Sequence, residues 1–196
     1  MLWEVPAMRR AFDVAGACAG LLVFAPALAA ISLAILIDDG RPVFFLQERV
    51  GWMRRPFRIR KFRTMRDGGV TRVGRVLRRT GLDEIPQFIN IITGEMGAVG
   101  PRPLTAADVE RLGWTAADHD FRWTVRPGLT GLAQLAGPES SANALALDRA
   151  YVSKWRPLLD CRLILLSFAV NAFGKTRVRG WIRGASPGLK TGSPDS

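Results

Sequence analysis

The chain has 196 residues, of which 48% are hydrophobic, and its formal net charge at pH 7 is +11. This length is sufficient for one domain with its own hydrophobic core, and this composition excludes an intrinsically disordered chain. The excess of positive charge predicts an acidic partner, which is nucleic acid, anionic lipid or a phosphorylated small molecule.

The first predicted element is a helix in an apolar segment, residues 14–37, that contains no charged side chain. As a helix it would be about 36 Å long, compared with about 30 Å for the hydrocarbon core of a bilayer. Pro26 lies near its middle, where it removes a backbone hydrogen bond and favours a kink. Basic residues flank both ends, with Arg9 and Arg10 on the N-terminal side, and such flanks favour the cytoplasmic face. The residues alone leave two courses open, a straight membrane span and a re-entrant hairpin that bends at Pro26.

A β-hairpin is predicted next, from the two strand-like runs "VFFLQERV" and "FRIRKFRTM", which a loop containing Gly and Pro separates. In the second run, basic residues alternate with apolar ones as in a packed element, so we expect Lys61 and Arg63 to line an anion pocket. The alternative is a solvated face against anionic lipid headgroups, where each charge contributes about 1 kcal/mol. The following stretch, "VGRVLRRTGLDEIP", places Val73, Val76 and Leu77 on one face of a predicted helix.

Two adjacent carboxylates, Asp83 and Glu84, come directly before a short predicted helix that begins near Pro86 and ends at Gly94. One interpretation is structural, because an acidic side chain before a helix stabilises its positive end by about 0.3–1 kcal/mol. The other is chemical. Mg²⁺ is typically held by one or two carboxylates together with phosphate oxygens, and a carboxylate can be the nucleophile in phosphoryl transfer.

Two arginines further along the chain are candidates for binding phosphate. Arg102 lies between Pro101 and Pro103, which restrict the backbone around it. Arg126 precedes a Pro-Gly turn in "VRPGLTGLAQ" and is either a phosphate ligand or a surface arginine. The sequence contains no GxSxG, GxxxxGK[ST], HExxH or strand-linked GxGxxG pattern, so the corresponding reaction schemes lack their residues.

The last predicted helix, "DCRLILLSFAVNAFG", has an uncharged stretch too short to span a bilayer, so we expect it to pack on the protein or lie in the membrane interface. Cys18 and Cys161 lie in apolar sequence without a CxxC spacing, which predicts buried, reduced thiols. Residues 184–196 are rich in Gly, Pro and Ser, and we expect them to be disordered.

These motifs together resemble a family, the bacterial sugar transferases of the small-domain, monotopic phosphoglycosyl transferase kind. The resemblance covers residues 8–170, from "RRAFD" through "PVFFLQERVG", "FRIRKFRTM", "VGRVLRRTGLDEIPQFINIITGEMGAVGPRPL" and "VRPGLTGLAQLAG" to "DRAYVSKWRPLLD". It implies a re-entrant helix in the cytoplasmic leaflet, broken at a Ser-Pro pair. In this chain Ala25 replaces that serine, so Pro26 alone must produce the break.

The resemblance also implies an activity. Family members transfer a sugar phosphate from a nucleoside diphosphate sugar to polyprenyl phosphate, and they require Mg²⁺. Carried over, Asp83 is the nucleophile that displaces UMP, and Glu84 organises the metal or acts as a base. The residues expected to bind substrate are Lys61, Arg63, Arg78, Gln87, Arg102 and Arg126.

The resulting expectation is a helix-rich α+β protein with a re-entrant helix region over residues 1–40 and a cytoplasmic domain with a small β-hairpin over residues 41–183. It would initiate glycoconjugate or exopolysaccharide synthesis, with undecaprenyl phosphate as acceptor, at the cytoplasmic face of a bacterial inner membrane. Its partners would be both substrates and anionic lipid but not nucleic acid, and the sequence leaves a homodimer open.

Two other functions remain open at this stage. One is a basic, membrane-anchored protein that binds anionic lipid or nucleic acid, although an acidic pair has no use in a groove for a phosphate backbone. The other is a glycosyltransferase that moves the sugar without its phosphate, which its product, UDP instead of UMP, would distinguish.

Overall fold

The computed structural model describes residues 7–137 and 140–173, and the predicted tail at 184–196 lies outside them. The described part is helix-rich α+β, as predicted, and its sheets are three separate strand pairs. The helices are α1 (Ala7–Asp39), α2 (Arg72–Thr80), α3 (Gln87–Ile92), α4 (Ala106–Arg111), α5 (Leu132–Ala136), α6 (Ser141–Ser153) and α7 (Pro157–Phe173). The strands are β1 (Phe44–Val50), β2 (Pro56–Phe62), β3 (Met65–Arg66), β4 (Gly69–Val70), β5 (Gly97–Val99) and β6 (Gly128–Thr130).

The predicted β-hairpin is confirmed. β1 and β2 pair antiparallel, with Phe44 opposite Phe62 and Val50 opposite Pro56. Successive side chains of a strand point to opposite faces, so Phe57 and Ile59 share one face of β2 and Phe62 lies on the other. Phe57 and Ile59 are buried under the first half of α1, and Phe62 is buried under its second half.

β5 and β6 form a short parallel pair in which Gly97 lies opposite Gly128 and Val99 opposite Thr130. The backbones approach so closely that a Cβ atom on Gly128 would lie 2.0 Å from the Gly100 nitrogen. This contact needs glycine, and it places the Pro-Arg-Pro segment, which follows β5, next to the start of β6.

Helix α1 packs along the rest of the protein over much of its length. Ala17 contacts the cluster that contains Phe57 and Ile59, and Ile35 contacts Phe62 and Leu77. Its other face is apolar and exposed, and α1 is the one helix in the described ranges that is long and apolar enough to cross a membrane. The large side chains exposed on it include Phe12, Leu22, Val23, Leu33 and Ile37.

The backbone of α1 remains helical through Pro26, from Ala7 to Asp39. The predicted break at Pro26 is therefore not a loss of helical conformation, and a re-entrant bend stays a prediction. The division of the chain at residues 40 and 183 also stays a prediction.

One prediction about burial was wrong. Cys18 and Cys161 are both exposed, because they lie on outward faces of the apolar helices α1 and α7. Val76 is 60% exposed although it follows the helical period of Val73 and Leu77. The buried arc of α2 is instead centred on Gly74, which packs against the Thr64 backbone, and Val76 points away from that arc.

Candidate active site

The acidic pair lies in a single 3-10 turn, Leu82–Glu84, between α2 and α3. Gly81 ends α2 in the left-handed conformation, with φ of 74°, and its N–H donates to the Leu77 carbonyl. Glycine adopts this conformation at little cost, and the reversal starts a new turn directly after α2. Asp83 and Glu84 are consequently half-buried on a short, fixed connection between two helices.

Glu84 is paired with a cation. Lys61, near the end of β2, places its Nζ atom 2.5 Å from Glu84 Oε1. The Lys61 side chain is 22% exposed and that of Glu84 is 39% exposed, so the pair lies at the edge of the protein interior. The salt bridge orients the glutamate and leaves its second oxygen available to another ligand.

Asp83 is not held in the same way. Among the described residues, no lysine, arginine or histidine nitrogen lies within the 4 Å of an ion pair with its carboxylate. Burial raises the pKa of Asp83 above its usual value of 3.8, and the negative charge of Glu84 raises it further, whereas Lys61 and Arg78 lower it. A half-buried carboxylate that is poorly solvated and without a direct ion pair is a candidate for chemistry.

Arg78 and Gln87 lie on the two sides of the pair in sequence. The Nε atom of Arg78 donates a 2.9 Å hydrogen bond to Thr64 Oγ1, and within the described part of the chain its two Nη groups make no hydrogen bond. The Gln87 side chain is buried, and its Nε2 atom has no partner there either. The Nη groups of the exposed Arg78 are open to a phosphate oxygen, whereas the Gln87 amide is buried in the interior. The predicted contacts of both residues with substrate stay predictions.

The structure places Arg63 at the end of α1. Its Nη2 atom donates to the carbonyl oxygens of Asp39 and Gly40, both at 2.9 Å, and its Nη1 atom donates to the Arg41 carbonyl at 3.0 Å. These bonds occupy both Nη groups. The contact of Arg63 with substrate stays a prediction. The structure shows in addition that Arg63 binds the carbonyl oxygens at the end of α1.

Arg102 and Arg126 make no hydrogen bond or ion pair with Asp83 or Glu84 among the described residues. Arg102 is exposed between two buried prolines, and its carbonyl accepts a 2.5 Å hydrogen bond from Arg122 Nη2. Arg126 donates to the Gly94 carbonyl at 2.8 Å, beyond the far end of α3 from the acidic pair. Their phosphate-binding roles stay predictions.

Sequence reasoning missed a buried ion pair behind Arg102. Arg122 Nε lies 2.8 Å from Asp148 Oδ2, and both side chains are 4% exposed. The guanidinium group also stacks near the rings of Trp114 and Trp123. Arg122 lies in "DHDFRW", which matches no motif, so nothing local identified it, and its partner comes 26 residues later in the chain.

The donor atoms of the acidic pair suit a magnesium ion. Within the described ranges, no group of three or more acidic, His or Cys side chains could hold a metal by itself. Mg²⁺ does not need such a group, because it commonly uses one or two carboxylates and completes its shell with water and substrate phosphate. Asp83, which pairs with no cation among the described residues, and the second oxygen of Glu84 fit that pattern.

Comparisons with known proteins found a matching family and several similar proteins. A sequence profile described as Bacterial sugar transferase matches residues 5–174. The chain is 35% identical over 181 residues to a UDP-glucose:undecaprenyl-phosphate glucose-1-phosphate transferase of Escherichia coli (strain K12). The alignment covers 82% of this chain and 39% of that protein. It is also 35% identical over 187 residues to the exopolysaccharide production protein ExoY of Rhizobium meliloti (strain 1021), with 80% of this chain and 81% of that protein covered.

A third similar protein is named for another sugar. The UDP-N-acetylgalactosamine-undecaprenyl-phosphate N-acetylgalactosaminephosphotransferase of Aeromonas hydrophila is 37% identical over 176 residues, with 80% of this chain and 42% of that protein covered. The chain spans less than half the length of the Escherichia coli and Aeromonas relatives. Similarity at this level therefore accompanies different sugar donors.

Proposed function

The chain belongs to the bacterial sugar transferase family, and we propose that it transfers a sugar 1-phosphate from a nucleoside diphosphate sugar to polyprenyl phosphate. The proposed donor is a UDP-sugar and the proposed acceptor is undecaprenyl phosphate, as the names of the relatives state for those proteins. The product would be the lipid-linked sugar that starts a glycoconjugate or exopolysaccharide. The names of the relatives differ in the sugar, so the proposal leaves the sugar unassigned.

One observation carries the proposal. The Asp83 carboxylate is half-buried and forms no ion pair with any described residue, whereas its neighbour Glu84 is fixed by Lys61. Two adjacent carboxylates that only stabilised a helix start would both face solvent, and neither would need a buried surrounding. The difference between them instead suits one nucleophile and one positioning or metal-binding group.

In the first half-reaction, an Asp83 carboxylate oxygen attacks the phosphorus that carries the sugar. A bond forms between that oxygen and phosphorus while the bond from phosphorus to the bridging oxygen breaks, and UMP leaves with the electron pair. In the second half-reaction, a phosphate oxygen of the polyprenyl phosphate attacks the same phosphorus. The bond to Asp83 breaks, and its carboxylate is regenerated with the polyprenyl diphosphate sugar as product.

The surrounding groups support these steps through charge. The unoccupied Nη groups of Arg78 and the Gln87 amide can donate hydrogen bonds to phosphate oxygens, and such bonds to charged groups contribute about 1.5–3 kcal/mol each. Mg²⁺, when bound, would be held by Asp83 and Glu84 and would neutralise the phosphate charge that repels an anionic attacker. Lys61 keeps Glu84 in place, so the carboxylate pair does not rearrange as charge moves.

We further propose that α1 enters the cytoplasmic leaflet and returns, so that the protein is monotopic. Both ends of α1 contact residues of the rest of the described chain. At one end Arg9 donates to the Val99 carbonyl at 2.9 Å and pairs with Asp160, and at the other end Asp39 pairs with Arg63. A straight span would carry the two ends to opposite sides of the bilayer, where they could not both keep these contacts.

The alternative of a basic anchored binding protein has no feature of the site in its favour. It gives no use for a half-buried acidic pair, and the similar proteins are named as transferases or for exopolysaccharide production. The proposed location of the protein is the cytoplasmic face of a bacterial inner membrane, because the basic flanks of α1 favour the cytoplasmic side.

The test uses the full chain in lipid nanodiscs with a panel of UDP-sugars. Donor alone should release UMP and leave a phosphosugar on the peptide that contains Asp83, detectable by mass spectrometry. Later addition of undecaprenyl phosphate should discharge that adduct. Release of UDP would identify a glycosyltransferase, and UMP release that begins only after the acceptor is added would contradict the covalent route.

A further inference from the structure

The C-terminal end of α1 is held by a cluster of three charged residues, Asp39, Arg63 and Arg66, which we call the joint. The Asp39 side chain is 7% exposed, with Oδ2 2.7 Å from Arg63 Nη2 and Oδ1 3.2 Å from Arg66 Nη1. Arg63 also donates to three carbonyl oxygens at residues 39–41, and Arg66 donates to that of Asp39. The last carbonyls of a helix lack intrahelical partners, so the joint satisfies the end of α1 and neutralises its charge.

The joint is connected to the acidic pair through four consecutive residues. Lys61 reaches Glu84 at 2.5 Å, and Phe62 packs against Ile35 of α1. The third of the four is Arg63 itself, and Thr64 accepts a hydrogen bond from Arg78. The charge of Arg78 in turn acts on Asp83, whose pKa it lowers. Four consecutive residues therefore connect the end of the apolar helix to the site.

A second connection runs through α2. Asp38 Oδ2, next to the joint, accepts a 3.2 Å hydrogen bond from the Val73 N–H in the first turn of α2. Leu77 packs against Ile35 and Phe62 further along the same helix. Helix α2 ends at Thr80, three residues before Asp83. Two independent paths thus fix the acidic pair relative to the end of α1.

We propose that the joint is a positioning device that sets the height of Asp83 relative to the membrane and so aligns it with the phosphate of the lipid acceptor. This inference rests on the proposed function. The two substrates differ in one physical respect. A nucleoside diphosphate sugar is soluble and approaches from the aqueous side, whereas the tail of a polyprenyl phosphate restricts its phosphate to the headgroup layer. A shift of the site relative to α1 therefore impairs the step that uses the lipid and spares the step that uses the donor.

The experiment measures the two half-reactions separately in single turnovers, with the full chain in nanodiscs. The variants are Asp39→Asn and Arg66→Gln. For Asp39→Asn, UMP release from donor alone should change by less than about threefold, and discharge of the adduct by undecaprenyl phosphate should slow by about ten- to a hundredfold. Arg66→Gln should show the same selective loss to a smaller extent, because the Arg66 side chain is 58% exposed.

Two control variants separate positioning from general damage. Asp120→Asn removes the exposed ion pair to Arg54, at 2.6 Å, and should leave both half-reactions unchanged. Asp148→Asn breaks the buried pair to Arg122 and should lower the melting temperature and both half-reactions together. Equal losses in both half-reactions of Asp39→Asn, or an unchanged discharge step, would overturn the positioning role.

Arg66→Gln covers a failure to fold. If Asp39→Asn does not melt cooperatively, Arg66→Gln alone decides the test, since that side chain is 58% exposed and its loss is milder. It must show the same selective loss in the discharge step, or the inference fails. Absence of donor-dependent UMP release from wild-type protein would instead refute the proposed function.

Discussion

Removing either member of the Lys61–Glu84 ion pair should shift the pH dependence of activity, and the two removals should shift it in opposite directions. Asp83 must be ionised to attack phosphorus, so activity falls as pH drops through its raised pKa. Lys61→Met removes a charge that lowers this pKa, and the acid limb of the kcat/KM profile should therefore move to higher pH. Glu84→Gln removes a charge that raises the pKa, so the acid limb should move to lower pH.

The magnitude on the plateau follows from the geometry of the pair. A hydrogen bond between charged groups contributes about 1.5–3 kcal/mol when it is well protected, and exposed pairs contribute about 0.2–1 kcal/mol. The Lys61 and Glu84 side chains, 22% and 39% exposed, lie between those cases. We expect Lys61→Met to cost about 1–1.5 kcal/mol in kcat/KM, which is about a five- to thirteenfold loss.

The assay is UMP release at limiting donor over a range of pH, for wild type and both variants. Arg54→Gln is the matched control, because it also removes one positive charge from an ion pair but lies on the Asp120 side of the protein. Its acid limb should coincide with that of wild type. Acid limbs that move in the same direction for Lys61→Met and Glu84→Gln, or that do not move, would refute the assignment of this limb to Asp83.

Three further predictions concern the nucleophile, the packing of α2 and the topology of α1. Asp83→Asn keeps the shape without the anion and Asp83→Glu misplaces it, so both should abolish turnover and the adduct in mass spectrometry, while normal turnover in either would exclude Asp83 as nucleophile. Gly74→Ala would place a Cβ atom 2.2 Å from the Thr64 carbonyl oxygen and should lower the stability to thermal unfolding by about 1–3 kcal/mol, whereas Gly16→Ala, with nothing within 4 Å, should not destabilise the protein. Single cysteines at Ala7 and Arg41, with Cys18 and Cys161 replaced by serine, should both resist an impermeant thiol reagent added outside intact cells, and labelling at Ala7 alone would show a full span.

The sequence by itself determined the local elements and the identity of the acidic pair. Alternation of apolar and basic residues predicted the hairpin of β1 and β2, because the period of a strand is two. Pro86 and Gly94 bounded α3 correctly, because proline suits the start of a helix and glycine tolerates the φ of 88° found just after its end. The apolar segment was likewise visible from composition, since only its length and lack of charge had to be counted.

Tertiary structure decided which of two adjacent carboxylates is paired. The sequence presents Asp83 and Glu84 as equals, and only the fold brings Lys61 from β2 to one of them. It also decided that Arg63 caps the end of α1, and that Arg122 and Asp148 form a buried pair. The exposure of Val76 and of the two cysteines likewise depended on which face of each helix packs against its neighbours.

The physical reason is the range of the interactions. The conformation of a helix, strand or turn depends on side chains within a few positions, so the local sequence contains the residues that determine it. The ion pairs that the sequence did not reveal join residues far apart in the chain, such as Lys61 and Glu84 at a separation of 23. Their meeting is set by how the helices and the hairpin pack together, and no pattern within either segment encodes it.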